Sequence, residues 1–470
     1  MSTYRHVAVI DIGKTNAKVA LVDMQTLTEI DVRTTPNTVL DTPPYPHFDI
    51  DHLWDFILEG LSTFQKTHGI DAISVTTHGA SIVLLDAAGG LAVPVLDYEH
   101  EGPDRLAAEY DAIRPGFEST GAPRLPMGLN VGAQLHWLLR TVPGLRERVA
   151  KVVTYPQFWV ARLTGIACTE VTSLGCHTDL WEPEIGRFSN LPAQLGIADR
   201  MAPAYLATDK VGPVLPMLAQ AIGLAPGTPV FCGIHDSNAS LYPHLLALKS
   251  PFTVLSTGTW VIAMAIGGQA TRLDPARDTL INVNALGNPV PSARFMGGRE
   301  YELLMRGENV APTTDDIEAV LSCGAMLLPS IVPESGPYQG RRPEWTVRGA
   351  SLAQGERAAV VSLYLAMMAE TCLSMIGAAG PTLTEGPFAR NQLFLDMLAE
   401  ATGRPVLLSC GSATGTSIGA ALLTRGAGAT LSEKPRVHPP LDLSRAHALQ
   451  SYAKDWRQAC GSQIAAAHSA

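Results

Sequence analysis

The sequence predicts an α/β protein of two domains built on a duplicated core, and three observations predict it. The chain has 470 residues, whereas a single hydrophobic core stops growing at about 250–300 and about 150 residues per domain gives two or three domains. Short apolar runs alternate with segments of helical period, the pattern of strands covered by helices. An apolar strand, a turn of glycine and hydroxyl or amide residues and a second apolar strand occur twice, over residues 7–23 and 252–266, once near the start of each half.

The elements follow in order. Val7-Ala8-Val9-Ile10, closed by Asp11, is a first strand, Gly13-Lys14-Thr15-Asn16 a tight turn, and 17–23 the returning strand of a hairpin. Leu53, Trp54, Ile57, Leu58, Leu61 and Phe64 keep a helical period that stops at Gly69. Residues 72–76, 82–86 and 91–96 read as a meander, with Ala87-Ala88-Gly89-Gly90 as one turn. The region 100–225 is mostly helical with proline-rich connections. Residues 229–233 form a buried strand and 237–246 a helix that Pro243 ends or kinks. The second hairpin follows, with Ser256-Thr257-Gly258-Thr259 as its turn. Beyond it come a loop-rich region to Gly349, helices over 357–376 and 391–402, a strand at 406–409, a Gly/Ser/Thr loop and an Ala-rich helix over 417–425. The last 40 or so residues have weak periodicity. The domain boundary is placed near 248, giving domains 1–248 and 249–470.

Composition excludes several classes. Hydrophobic residues make up 46% and charged residues 17%, against about 25% charged in average soluble proteins, so disorder, coiled coil and collagen are excluded. Lys and Arg total 34 against 44 Asp and Glu, and 34 − 44 gives −10, which argues against nucleic acid as a partner. Asp11 interrupts the N-terminal apolar run before it reaches signal-peptide length, and no uninterrupted apolar stretch approaches the roughly 18–20 residues of a membrane span. A soluble, cytoplasmic protein without a membrane partner is expected. Seven cysteines without a C-x-x-C pair indicate neither a disulfide framework nor structural zinc. Cys176-His177 with Asp179 lacks metal-ligand spacing and reads as structural.

The paired turns carry the main chemical signal. Backbone N–H groups and small hydroxyls in tight turns cradle phosphate oxygens, although either turn alone is simply a good hairpin turn. Gly13-Lys14-Thr15 is not a P-loop, because Ala8 stands where that motif needs glycine and a strand follows. Asp11 beside phosphates implies Mg²⁺ held mostly through water; opening an Asx turn explains it equally well. Asp236, where a buried strand meets a helix, is placed to act as a base toward an alcohol, or as an N-cap, or both. His235-Asp236-Ser237 cannot assemble a hydrolase triad from adjacent positions. In the G-x-S-x-G match at 415–419, Ser417 follows a seven-residue loop instead of a sharp elbow. Residues 425–430 lack the third glycine and the strand-to-helix setting of a dinucleotide fingerprint.

Asp11-Ile12-Gly13-Lys14-Thr15-Asn16, Thr77-His78-Gly79, the segment 233–236, Ser256-Thr257-Gly258-Thr259-Trp260, Leu328-Pro329 with Gly336-Pro337, and 386–391 together resemble the FGGY family of carbohydrate kinases. That family lies within the superfamily of actin, hexokinase and the heat-shock ATPases, and the resemblance runs from Asp11 to about Arg425. It implies a two-domain actin-like ATPase fold with a ribonuclease H-like duplicated core, ATP and Mg²⁺ in a central interdomain cleft, and transfer of the γ-phosphate to a sugar hydroxyl. By the same resemblance Asp236 is the base. Asp11, Gly13, Lys14, Thr15, Asn16 and Lys18 belong to the first phosphate loop, and Ser256, Thr257, Gly258 and Thr259 to the second. Gly386, Asn391 and Gly411 fall in the adenosine region, His78, Gly79, Asp236 and Ser237 around the sugar, and Asp11 and Asp236 near the metal.

Three positions depart from the family pattern. Lys14 stands where many members have Thr and adds a phosphate contact or points to solvent. Pro387 and Phe388 replace glycines and restrict the approach of backbone to a nucleotide. Gln134 stands where several members have Lys, a resemblance to the deoxysugar kinases. The expected partner is therefore a small-molecule sugar, first a 6-deoxyketohexose such as L-fuculose or L-rhamnulose, next xylulose or another ketopentose or polyol. A non-catalytic nucleotide- and sugar-binding sensor on the same fold is the rival, and a homodimer is compatible with either.

Overall fold

In the computed structural model of the chain, the described residues are 4–347, 352–409, 415–431 and 434–467. The chain forms two compact units. The first comprises Met1–Ala247, Ile281–Pro289 and Gly411–Ser432, and the second Leu248–Leu280, Val290–Cys410 and Glu433–Ala470. The later half of the sequence thus contributes two segments to the first unit, whereas the sequence reading assigns all of 249–470 to one domain.

The first unit is organised by a seven-stranded mixed sheet. Its strand β1, His6–Ile12, runs antiparallel to β2, Asn16–Asp23, which runs antiparallel to β3, Thr28–Pro36. On its other side β1 pairs in parallel with Ala72–Thr77, and that strand in parallel with Pro229–Phe231 and Ile234–His235. Val7, Ala8, Val9 and Ile10 are all fully buried, as a central strand covered on both faces requires. β3 lies at the edge and carries the charged residues Glu29, Asp31 and Arg33 along its length, which discourages the open edge from pairing with another chain. Helix α1, Ile50–Thr67, lays Leu53, Ile57, Leu61 and Phe64 into the core beneath this sheet; Asp49 caps it by accepting from the His52 N–H.

The predicted meander over 72–96 does not exist as one sheet. Ala72–Thr77 enters the main sheet, whereas Ile82–Leu85 pairs antiparallel with Lys151–Thr154 in a separate two-stranded sheet. Three consecutive apolar runs carry no information about which partner each finds, and burial of all six residues of Ala72–Thr77 is what a central parallel strand demands.

The second unit repeats the plan. Phe252–Thr257 runs antiparallel to Val261–Ile266, which runs antiparallel to Pro289–Phe295; on its other side it pairs in parallel with Thr382–Glu385, and that strand in parallel with Val406–Leu408. Even the far edges match, since Lys210–Pro213 pairs antiparallel with Pro229–Phe231 in one sheet and Arg436–Val437 with Val406–Leu408 in the other. The repeated third strand, Pro289–Phe295, lies within the region expected to be loop-rich; its two prolines and polar residues hide the period-2 signal.

Helix Gln354–Met375 is the centre of the second core, with its residues from Ala358 through Ala369 buried. It is the one helix among the described residues long and apolar enough to cross a membrane, and most of it is buried inside the unit. Helix Asp236–Ala247 contains Pro243 without ending there. Leu443–Ala467 forms a 25-residue helix where the sequence shows only weak periodicity.

Candidate functional site

Strand register brings three loop ends together in the first unit. Asp11 pairs with Thr76, and Thr76 with Ile234; one step on, Ile12 pairs with Thr77, and Thr77 with His235. The next residues of the three strands are Gly13, His78 and Asp236, side by side at the carboxyl edge of the sheet, where open α/β sheets place their ligands. Gly233 makes this possible. Its φ is +81°, and a Cβ there would lie 2.3 Å from the Val75 carbonyl oxygen, so only glycine lets the chain jog between Pro229–Phe231 and Ile234–His235 while both pair with the same strand.

Asp236 opens its helix with one carboxylate oxygen held and the side chain 34% exposed. Its Oδ1 lies 3.1 Å from His235 Nε2 and accepts from the Ser237 N–H at 2.6 Å and the Ser237 hydroxyl at 3.3 Å. An N-cap would accept from N–H groups two or three residues on, so this is a different arrangement. Burial by itself would lower the His235 imidazole, but the charges of the Cys176 thiolate and the Asp236 carboxylate carry it up to about 9, which keeps a proton on the nitrogen that faces Asp236.

A buried network anchors the segment that carries this pair. The His235 N–H donates to the Thr172 hydroxyl at 3.1 Å, which donates to Glu170 at 2.7 Å; Glu170 also accepts from the Thr172 and Ser173 N–H groups and the Ser173 hydroxyl. From the other side Gln157 donates to the Cys232 carbonyl at 2.7 Å. Neither Glu170 nor Gln157 shows any signal in the sequence, because each acts through backbone groups distant along the chain.

Asp11 sits opposite Lys18 in the hairpin, and Lys18 Nζ lies 3.6 Å from Asp11 Oδ2 and 2.9 Å from Glu29 Oε1. Burial raises the Asp11 carboxyl to about 6, with the charge of Asp236 adding to the rise and Lys18 opposing it. Asp11 and Asp236, close enough that the charge of one raises the other, fit a hard divalent cation that keeps most of its waters; no cluster of three His, Cys, Asp or Glu able to hold a metal by itself exists among the described residues. The turn beyond Asp11 is a true hairpin, with the Gly13 N–H donating to Asn16 O at 2.9 Å. Asn37, absent from the sequence reading, fixes the turn by donating from Nδ2 to Gly13 O at 2.7 Å and from its N–H to Thr15 O at 2.9 Å. Thr15 and Asn16 are exposed.

His78 is buried among Phe48, Tyr98 and Tyr155, with ring centroids 5.0–5.4 Å away. Its Nδ1 lies 2.8 Å from Gly79 O, and its Nε2 is buried without a partner. Burial lowers the imidazole to about 4, so the ring is neutral. Because Nδ1 faces a carbonyl it carries the proton, and Nε2 is an acceptor. Gly79 has no room for a side chain, since a Cβ there would lie 2.6 Å from His235 Nε2.

Several expectations need correction. Lys14 neither points to solvent nor stands free beside the turn: its ammonium pairs with Asp97 and lies 3.3 Å from Glu99. Gln134 is buried and its amide nitrogen donates to the carbonyls of Ala80 and Gly128, so it is a scaffold residue and says little about the substrate. Cys176 faces His235 at 3.9 Å while Asp179 accepts from Tyr110 and Arg114.

In the second unit the turn 256–259 closes with the Gly258 N–H donating to Trp260 O at 2.9 Å; Ser256 is half-buried and Thr259 exposed. Thr257, expected on a phosphate, commits its hydroxyl to the 385–388 turn, donating to Glu385 O at 2.5 Å and accepting from the Phe388 N–H at 3.1 Å. Gly386, with φ +84°, packs so closely that a Cβ would lie 1.9 Å from Thr257 O. Asn391, expected near adenosine, caps helix Gln392–Thr402 through Oδ1 and donates from Nδ2 to Ser362 at 2.8 Å. Phe388 turns into the core against Phe394. Gly411 lies outside the described residues.

Residues 6–242 match the N-terminal domain model of the FGGY family of carbohydrate kinases, and residues 249–433 the carbohydrate kinase FGGY C-terminal domain. The chain belongs to the FGGY family. The actin-like two-domain fold of that family accounts for the repeated sheets. A carbohydrate kinase from Novosphingobium aromaticivorans superposes with a TM-score of 0.89 at 37% identity, over 96% of this chain and 100% of that one. The L-fuculokinase of Haemophilus influenzae is 27% identical over 278 residues, 55% of this chain, and the chain spans only 57% of that relative's length. The glycerol kinase of Deinococcus radiodurans is 24% identical over 90% of this chain and 89% of its own. The xylulose kinase structure from Rhodospirillum rubrum, at 20% identity and a TM-score of 0.76, shares the fold.

Proposed function

We propose that this FGGY protein is an ATP-dependent sugar kinase that transfers the γ-phosphate of ATP to a hydroxyl of a small keto-sugar, first among them a 6-deoxyketohexose such as L-fuculose or L-rhamnulose. The observation that carries the reading is the Asp236 carboxylate, with Oδ1 fixed by His235 and Ser237 and the side chain open to a ligand at the carboxyl edge of the sheet. Phosphoryl transfer asks the protein mainly to position groups and neutralise charge. Asp236 accepts the proton of the attacking hydroxyl as that oxygen bonds to the γ-phosphorus and the bond from the γ-phosphorus to ADP breaks, and His235 beside it orients the carboxylate. His78 Nε2 accepts a hydrogen bond from a second sugar hydroxyl. The amides of the turn 13–16 hold phosphate in the first unit, and the turn 256–259 does so in the second through its amides, Ser256 and Thr259. Asp11 and Asp236 would hold a hydrated Mg²⁺, which would supply charge neutralisation on the phosphate oxygens. The L-fuculokinase relatives favour the deoxysugar, with xylulose and polyols next.

Sugar-dependent ADP release across L-fuculose, L-rhamnulose, xylulose, glycerol and gluconate tests the proposal. Turnover on a ketose is expected, and Asp236→Asn should lower kcat by at least about 10²-fold, the usual minimum for losing a positioned base. Absence of turnover on every sugar favours the non-catalytic sensor, and full activity in the Asn variant removes Asp236 from the role of base.

A further inference from the structure

Lys14 belongs to the turn 13–16, assigned above to phosphate, yet its ammonium leaves that turn. It pairs with Asp97, lies 3.3 Å from Glu99 Oε2, and stands 4.8 Å from the centroid of the Tyr98 ring and 5.2 Å from that of Phe48. The same two rings flank His78, at 5.4 and 5.1 Å. Asp97 is only 7% exposed, and its Oδ1 also accepts from the Glu99 N–H at 3.2 Å, so the carboxylate that receives Lys14 is fixed by its own loop. His78, 6% exposed, contributes the unpartnered Nε2.

An ammonium, a carboxylate and a bare imidazole nitrogen grouped on aromatic rings form a recognisable chemical set. The half-buried Tyr98 ring packs against the C–H face of a polyol, Phe48 being buried in the core, and the polar groups supply the donor and the acceptors that adjacent hydroxyls require. We infer that Lys14 and Asp97 are specificity-determining residues of the sugar subsite, not phosphate ligands, and that they select a neutral polyhydroxylated substrate over an acidic sugar. The inference rests on the kinase family's sugar site being the one built around His78 and Asp236. The charge follows from the residues: Lys14 faces Asp97 and Glu99, and the charge of Asp236 reaches both His78 and Tyr98. A substrate carboxylate would meet three anionic groups, Asp97, Glu99 and Asp236, and two cations, Lys14 and His235, that are already paired with them.

Calorimetry without turnover tests this on the full-length protein. L-fuculose, L-rhamnulose, D-xylulose and glycerol serve as neutral probes, D-gluconate as the acidic one, and ADP with Mg²⁺ as the nucleotide. Lys14→Thr should weaken the neutral sugar by about tenfold or more, as loss of a charged hydrogen bond does, while ADP affinity stays within about twofold and reports an intact fold. Lys14→Arg should recover part of the sugar affinity. Asp97→Asn should also weaken the neutral sugar while improving gluconate. A loss of ADP affinity with the sugar unchanged, no change in either, gluconate binding the unaltered protein as tightly as the best neutral sugar, or no neutral sugar binding at all would each overturn the inference. Sugar binding that depends on Lys14 without any ADP release would instead sink the kinase reading and leave this one standing.

Discussion

Glu170 shows how one buried side chain positions another without touching the substrate. Its carboxyl accepts four hydrogen bonds from Thr172 and Ser173, and Thr172 in turn receives the N–H of His235, the neighbour of Asp236. Burial nevertheless pushes it from an ordinary 4.5 up to about 7, because desolvation outweighs the hydrogen bonds. The unfolded chain therefore ionises first as pH rises. The contribution of the protonated group is fully present below about 4.5 and is lost as pH rises through about 7. At about 1.4 kcal/mol per pK unit, that loss is about 3 kcal/mol. Glu300 in the second unit is raised to about 7 in the same way, so the whole protein's slope contains both groups, and comparison with Glu170→Gln isolates the first. Urea unfolding on either side of this window should show the wild type losing about 3 kcal/mol more than the variant; parallel pH profiles would contradict the assignment. The sequence marks Asp236 because acid at a strand-to-helix junction is a local pattern. It leaves Glu170, Asn37 and Asp97 unmarked because their roles depend on backbone groups or, for Asp97, on the Lys14 ammonium brought close only by folding.

At the scale of elements, both hairpins were legible because each keeps its partner within a few residues, and the non-local pairings were not. Ala72–Thr77 and Thr382–Glu385 occupy equivalent places, each parallel to the first strand of its hairpin, yet the sequence presents one as part of a meander and gives no strand signal for the other. The turn after Thr382–Glu385 shows what such a pairing must accommodate. Gly386 lies against the Thr257 carbonyl, and the Thr257 hydroxyl clamps both Glu385 and Phe388. Gly386→Ala should cost at least about 1–3 kcal/mol, since alanine there adopts a disfavoured φ and clashes with backbone. Thr257→Val should cost about 1–3 kcal/mol by stranding the buried Phe388 amide. The two act on one contact, so the double variant should lose less than the sum. A strictly additive cycle, read from urea midpoints at equal slope, would show that the clamp is not a unit.

At the scale of the whole molecule, the return of the chain to an earlier unit leaves no mark in the sequence. Residue 247 closes the first segment of the first unit, and 411–432 comes back to it. Helix Thr416–Leu422 explains why. Ser417 through Leu422 are all buried, and Gly419 packs so closely on the helix bearing Asp236 that a Cβ would lie 1.7 Å from Ala239 O. Leu431 donates its N–H to Leu246 O at 3.0 Å, and Tyr242 donates to Gly426 O at 3.2 Å. Ile418 and Leu422 alone contribute about 1.5–3 kcal/mol each by burial, and removing them exposes Ala239, Tyr242 and Leu246, which share their core. Against a net stability of about 5–15 kcal/mol for a domain, that loss is decisive. A fragment of residues 1–247 should therefore show near-native secondary structure without a cooperative urea transition, and joining residues 411–432 to it through a flexible linker should restore one. In the intact chain, Gly419→Val should displace the Asp236 helix and lower kcat together with stability. A cooperative transition of full slope in the fragment alone would mean that the returning helix merely covers a core already complete without it.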